Sequence, residues 1–311
     1  MSPEEAARLL SGKARLLLVT HRNPDGDTMG SAAALCSALR RAGKEAYLYP
    51  NEQVIEKLRP FVAPFYAPAD YCWDYAVSVD VATETMFAHG FAGKIDLCID
   101  HHPSNSHYAS AECICGERAA CGEIVLQIIN TLCSSVTKEE ADLLYIALST
   151  DCGCFQYANT DAHAFLSAAA LVAAGADNAA LNQLFFRRVS AARIKLEGMI
   201  YDRIGIYREG KVAIATVTDE MLAEAGATED DCDDLAGLAG RVEGALVSIT
   251  IRDYPGGASK VSVRSGEQFD SCALCARFGG GGHKMAAGCN LPVRPDEAKT
   301  LLLNAIDEVW A

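Results

Sequence analysis

"THRNPDGDTMGS", residues 20–31, places one histidine and two aspartates within seven positions. It follows "RLLLVT" (15–20), an apolar run of strand type. It precedes a stretch rich in Ala and Leu that reads as a helix from Thr28 to Arg41 and stops at Gly43. Pro24 limits the conformations of the intervening loop, Gly26 and Gly30 relieve crowding around it, and Thr28 is expected to cap the helix. The same alternation continues outward. "EAYLY" (45–49), "YAVSVD" (75–80) and "KIDLCID" (94–100) are strand-like, and 121–133, 138–149, 161–174 and roughly 190–203 carry helical patterns. Upstream, Ser2-Pro3-Glu4-Glu5 has the form of a capping box, with Gly12 as the stop. Strands interleaved with helices predict an α/β fold whose N-terminal part is a doubly wound, mainly parallel sheet.

The chain has 311 residues, half of them hydrophobic, which suits two domains. Beyond about residue 205 the texture changes: "KVAIATV", "GALVSITIRD" and "SKVSVRS" read as strands, the last two joined by the turn-forming "YPGGA". "TEDDCDD" (228–234) reads as a solvated loop or helix start. The expected organisation is a catalytic domain over 1–185, a linker helix over 186–205 and a smaller α/β domain with a mixed sheet over 206–311, with the active site in the cleft between the domains. No charged and then apolar leader opens the chain, and no apolar run approaches the roughly 18 residues that cross a bilayer. Thirteen scattered cysteines lack zinc-ribbon spacing. They read as reduced thiols packed as small hydrophobes, so a soluble cytoplasmic protein with no membrane partner is expected. The 27 Lys and Arg against 41 Asp and Glu give a formal charge of −14. That field disfavours long nucleic acid but leaves room for a short phosphorylated substrate held by metal and a few local arginines.

His21 follows the first strand, Asp80 ends "VSVD", and Asp100-His101-His102 closes "IDLCIDHH". Asp151 sits in "ALSTD" after a helical run. Ligands of open parallel sheets gather at the carboxyl ends of strands. One edge is therefore expected to collect His21, Asp25, Asp27, Asp80, His101 and Asp151. Two unit charges about 4 Å apart repel by roughly 4 kcal/mol at an effective dielectric near 20, so four carboxylates in one place need cations. Two divalent ions supply the compensating charge, and mixed Asp oxygen and His nitrogen suits manganese, with magnesium or cobalt as alternatives.

These residues resemble the DHH phosphoesterases, a family named for the triplet that stands here at 100–102. "HRNPDGDTMGS", "VSVD", "IDHHPSN" and "ALSTDCGCFQYANT" are similar to its four motifs in order. "KVSVRS" and "GGGGHKMAAG" (279–288) resemble its DHH-associated domain. Within the family a chain of these two domains looks most like the nanoRNases that also dephosphorylate pAp (3′-phosphoadenosine 5′-phosphate). The resemblance implies that His21, Asp25 and Asp80 hold one metal, and that Asp27, Asp80, His101 and Asp151 hold the second, with Asp80 bridging. It implies that His102 faces the scissile phosphate and that Asp100 orients a histidine. Cleavage would be metal-assisted hydrolysis of a phosphoester to a 5′-mononucleotide.

In the C-terminal domain, successive glycines let backbone N–H groups approach an anion, and a guanidinium matches phosphate. Gly280, Gly281, Gly282, His283, Arg264 and Ser262 are therefore the candidates for substrate binding. Phe155 and Tyr157 read as core rather than as base-stacking residues. The competing readings are a phosphodiesterase for cyclic di-AMP or pApA, a manganese inorganic pyrophosphatase, and a non-catalytic nucleotide sensor. A monomer and a homodimer fit the sequence equally.

Overall fold

The computed structural model describes residues 1–232 and 235–310. The chain divides into two units, Met1–Arg188 and Val189–Ala311. The first opens with helix α1 (Pro3–Ser11), where Ser2 and Glu5 exchange the two bonds of a capping box and Gly12 ends the helix. Strand β1 (Arg15–Val19) leads to α2 (Gly26–Arg41), then β2 (Glu45–Leu48), the single-turn α3 (Arg59–Val62) and β3 (Tyr75–Val79). Strands β4 (Leu97–Asp100) and β5 (Ala111–Ile114) follow with no α-helix before either, then α4 (Cys121–Cys133), α5 (Lys138–Asp151), α6 (Ala162–Ala173) and α7 (Asn178–Asn182). The five strands form one sheet in the order β2-β1-β3-β4-β5, and every pair is parallel.

Leu16, Leu18, Val77, Val79, Leu97 and Ile99 of this sheet bury one face against α1, α2, α4 and α5. The alternate residues Leu17, Val19 and Ala76 meet loops and aromatic side chains on the other face. Thr28 does not cap α2. Asp25 does: its Oδ1 accepts from the amides of Asp27 at 3.0 Å and Thr28 at 3.1 Å. The Thr28 hydroxyl instead donates to Val79 O at 2.8 Å, tying the helix to the end of β3.

Gly26 and Gly30 are required where α2 meets α5. A Cβ on Gly30 would lie 2.4 Å from Leu143 O, and one on Gly26 would lie 2.3 Å from the Thr150 hydroxyl. Alanine gains about 1 kcal/mol of helix propensity over glycine. The clash with a backbone carbonyl outweighs that gain, so Gly30→Ala should destabilise the protein by about 1–3 kcal/mol net in urea unfolding. Unchanged stability would show that the two helices have slack.

In the second unit α8 (Ala191–Asp202) places Leu196 and Ile200 in a core with Ala213, Val217 and Leu235. The segment expected as a linker helix, 186–205, thus contributes packing residues to this unit. There follow β6 (Gly205–Tyr207), β7 (Val212–Val217), α9 (Asp219–Ala225), β8 (Val247–Tyr254) and β9 (Ala258–Ser265). The unit closes with α10 (Ser271–Ala276), β10 (Gly281–His283), β11 (Ala286–Leu291) and α11 (Pro295–Val309). Its sheet runs β10-β11-β9-β8-β7-β6, with β7 and β8 parallel and the other pairs antiparallel. Tyr254 pairs with Ala258 across the "YPGGA" turn. Of the acidic segment 228–234, Glu229–Cys232 forms a short 3₁₀ turn, and positions 233 and 234 lie outside the described residues. All thirteen cysteines are free thiols, and among the described residues no helix is long and apolar enough to cross a membrane.

Candidate active site

Strands β1, β3 and β4 are neighbours in a parallel sheet, so their carboxyl ends lie side by side and deliver His21, Asp80 and the 100–102 triplet to one edge. His21 Nε2 stands 3.6 Å from Asp25 Oδ2 and 3.8 Å from Asp80 Oδ2. His101 Nε2 stands 3.4 Å from Asp80 Oδ1, 3.8 Å from Asp27 Oδ2 and 3.7 Å from Asp151 Oδ2. The two oxygens of Asp80 thus face two different donor sets. The donor atoms of His21, Asp25 and Asp80 lie within 4.8 Å of one another, as do those of Asp27, His101 and Asp151.

Asp80 has φ of 59°, a left-handed conformation that side chains other than Asn and Asp seldom adopt. The turn swings its carboxylate off the strand, while its amide still donates to Ile99 O at 2.9 Å. Such strain concentrates at functional positions.

The supporting bonds fix each group. His101 Nδ1 lies 3.1 Å from Arg118 O, a bond that assigns the proton to Nδ1 and leaves the Nε2 lone pair for a metal. Asp100 is fully buried. Its Oδ1 accepts from His102 Nδ1 at 2.7 Å and from the His101 amide at 2.9 Å, and its Oδ2 accepts from Asn105 at 2.6 Å. His102 is therefore oriented by a carboxylate. Asp27 accepts from Ser31 Oγ at 2.9 Å and from the first amides of α4, Cys121 at 2.6 Å and Gly122 at 3.0 Å. A helix N-terminus stabilises that carboxylate. Asp151 has the opposite placement: it closes α5, where the dipole disfavours a negative charge. Asn159 Nδ2 donates to Asp151 O at 3.1 Å and Ala119 O at 3.2 Å, joining that helix end to the segment that holds His101.

The charges respond to this crowding. Burial, then Asp80 and Asp151, hold the Asp27 carboxyl well above its usual range. Burial, helped by Asp80 and Asp25 against the pull of His101, pushes Asp151 up to about 6. At His101 burial works against the charged ring, but the Asp80, Asp27 and Asp151 carboxylates prevail and lift its pKa to about 10. Asp100 raises His102, and burial of Asp100 itself is outweighed by His102 and Asn105, which lower it. Asp80 Oδ1 is buried with no hydrogen-bond donor. An orphaned oxygen facing His101, on a carboxylate whose other oxygen faces His21, fits a carboxylate shared by two divalent cations.

The substrate-binding candidates belong to the second unit. Across its sheet Arg264 pairs with Ala286, which pairs with His283, and Ser262 pairs with Gly288, which pairs with Gly281. The four therefore occupy two adjacent rows, with Arg264 and His283 exposed. Gly280 and Gly282 are needed for close packing: a Cβ on them would lie 2.2 Å from Gly288 O and 2.6 Å from Ala286 O. Gly281–His283 is an edge strand, while Gly279, in the turn before it, has φ of 73°.

Residues 15–148 match the N-terminal domain of the DHH family, and residues 209–311 match the DHHA1 domain. A Thermus thermophilus protein named bifunctional oligoribonuclease and PAP phosphatase NrnA is 31% identical over 297 residues, covering 94% of this chain and 89% of that one. The chain belongs to the DHH family. A Bacteroides fragilis structure, described as an exopolyphosphatase-related protein, superposes with a TM-score of 0.88 at 21% identity over 98% of this chain and 95% of that one. Exonuclease RecJ bound to manganese superposes at 0.53 with 15% identity, covering 99% of this chain and 94% of its own. Both show the fold that this DHH chain adopts.

Proposed function

We propose that the chain is a metal-dependent phosphoesterase that hydrolyses short oligoribonucleotides to 5′-mononucleotides and dephosphorylates pAp to AMP. The observation that carries the reading is the shared Asp80 carboxylate, one oxygen toward His21 and Asp25 and the other toward His101. The name of the Thermus relative supports the substrate class. His21, Asp25 and Asp80 would hold one ion, and Asp27, Asp80, His101 and Asp151 the other. Manganese is the favoured metal, from the donor set and from the manganese in the RecJ structure. When bound, such ions neutralise phosphoryl charge and acidify water. Asp100 keeps Nδ1 of His102 engaged, so Nε2 is the atom offered to a substrate phosphate or a leaving oxygen. Arg264, Ser262, His283 and the Gly280–Gly282 backbone are assigned to substrate phosphate. Thirteen free thiols support a reducing, cytoplasmic setting.

A substrate panel with manganese tests this. Turnover of pAp and of two- to five-residue RNA is expected, with pApA and cyclic di-AMP measured beside them and little action on long single-stranded DNA or pyrophosphate. In the same panel Arg264→Ala should raise KM by about tenfold or more, the loss of a charge-assisted bond, with metal content unchanged. A manganese-loaded protein that cleaves pyrophosphate alone, or nothing, would overturn the reading.

A further inference from the structure

The sheet face opposite the helices is only partly covered. Beside buried Leu17 lies a cavity of about 730 Å³, lined by Tyr49, Tyr71 and Trp73 together with Asn51, Glu52 and Gln53. The volume falls in the range of small-molecule sites. The rings are held in place. The Tyr71 hydroxyl donates to Leu16 O and Glu45 O, and the ring meets Tyr47 edge to face. Tyr49 packs edge to face on Phe91 with centroids 5.4 Å apart. Trp73 remains 41% exposed and available for stacking. Asn51 pins the adjoining turn, donating to His21 O at 2.9 Å and accepting from the Gln53 amide at 3.1 Å.

Charge narrows the occupant. Among the described residues the lining holds no lysine or arginine; its ionisable side chains besides the tyrosines are Glu52 and His89, both exposed. A phosphate finds no permanent cation there and meets Glu52, while a flat neutral ring finds stacking surfaces and the side-chain amide of Gln53, which both donates and accepts. We infer that this cavity is a second ligand site, lined by none of the His and Asp metal donors, that takes a planar, uncharged heterocycle: a nucleobase or unphosphorylated nucleoside.

Adenosine is the probe, added to the full chain while Trp73 emission is followed against a Trp73→Phe control. Saturable quenching by adenosine is expected, with AMP weaker by about tenfold and Glu52→Gln narrowing that gap. Trp73→Ala should weaken adenosine binding about tenfold in ligand-observed NMR while pAp turnover stays unchanged. Absence of saturable quenching would overturn the proposal, and so would AMP binding as tightly as adenosine, or undiminished binding to Trp73→Ala. Quenching by a proline-rich peptide where adenosine gives none would reassign the groove to a peptide partner and equally overturn it. None of these outcomes depends on the metal centre, so the proposed phosphoesterase activity stands or falls separately.

Discussion

Asp80→Asn should lower kcat on pAp and short RNA by about three orders of magnitude or more while leaving the protein folded. The substitution keeps side-chain volume, and asparagine, like aspartate, tolerates the left-handed backbone found at this position. What it removes is the charge that both donor sets share. Asp80→Ala is the poorer probe, because alanine adds about 1 kcal/mol of left-handed strain and leaves a hole in a residue that is 3% exposed. Turnover read beside near-ultraviolet dichroism separates a lost centre from a lost fold. A folded variant that works at the parental rate would refute the shared-carboxylate assignment.

EDTA should abolish turnover, and manganese should restore it with two ions bound per chain. A second readout does not depend on activity. An ion present at a hundredfold its dissociation constant stabilises the folded state by about 2.7 kcal/mol. For a unit the size of Met1–Arg188, that corresponds to a rise in Tm of about 5 °C or more. The rise should shrink in Asp80→Asn, where each set loses a charged donor. Full turnover in exhaustively chelated protein, or a Tm indifferent to manganese, would remove the dinuclear reading.

The sequence was most legible where chemistry and secondary structure coincide. His21, Asp80 and Asp100 could be placed because each follows or ends an apolar run, and parallel strands bring such ends together. Strands β7, β8 and β9 were legible from their apolar runs and from the turn residues of "YPGGA", whereas β6, β10 and β11 were not read as strands. Other features left little local signal. Strand β5 is four residues of mixed polarity, "AECI", too short for a period to register. No α-helix lies between β3 and β4 or between β4 and β5, as the successive strand-like runs at 75–80 and 94–100 imply for the first of these links. The helix cap at Asp25 competed with a second capping candidate three positions on, and with Asp25, the stronger N-cap type, in that role Thr28 donates to the β3 carbonyl. The amides of Cys121 and Gly122 reach Asp27 across more than ninety positions, a pairing that only the packed α2 and α4 helices create. Asn105 and Asn159 lay inside stretches already read as motifs. Their roles appear only as hydrogen bonds to Asp100 and to the Asp151 carbonyl.

The two donor sets sit at unequal depth. The side chain of Asp27 is 1% accessible, whereas that of Asp25 is 57% accessible. A cation held beside Asp27 would exchange past Asp151, whose side chain is 30% accessible, whereas one held beside Asp25 would meet a more open carboxylate. The protein would then hold the cation at the Asp27 side longer than the one at the Asp25 side. Its working rate would follow the supply of free divalent cation around it.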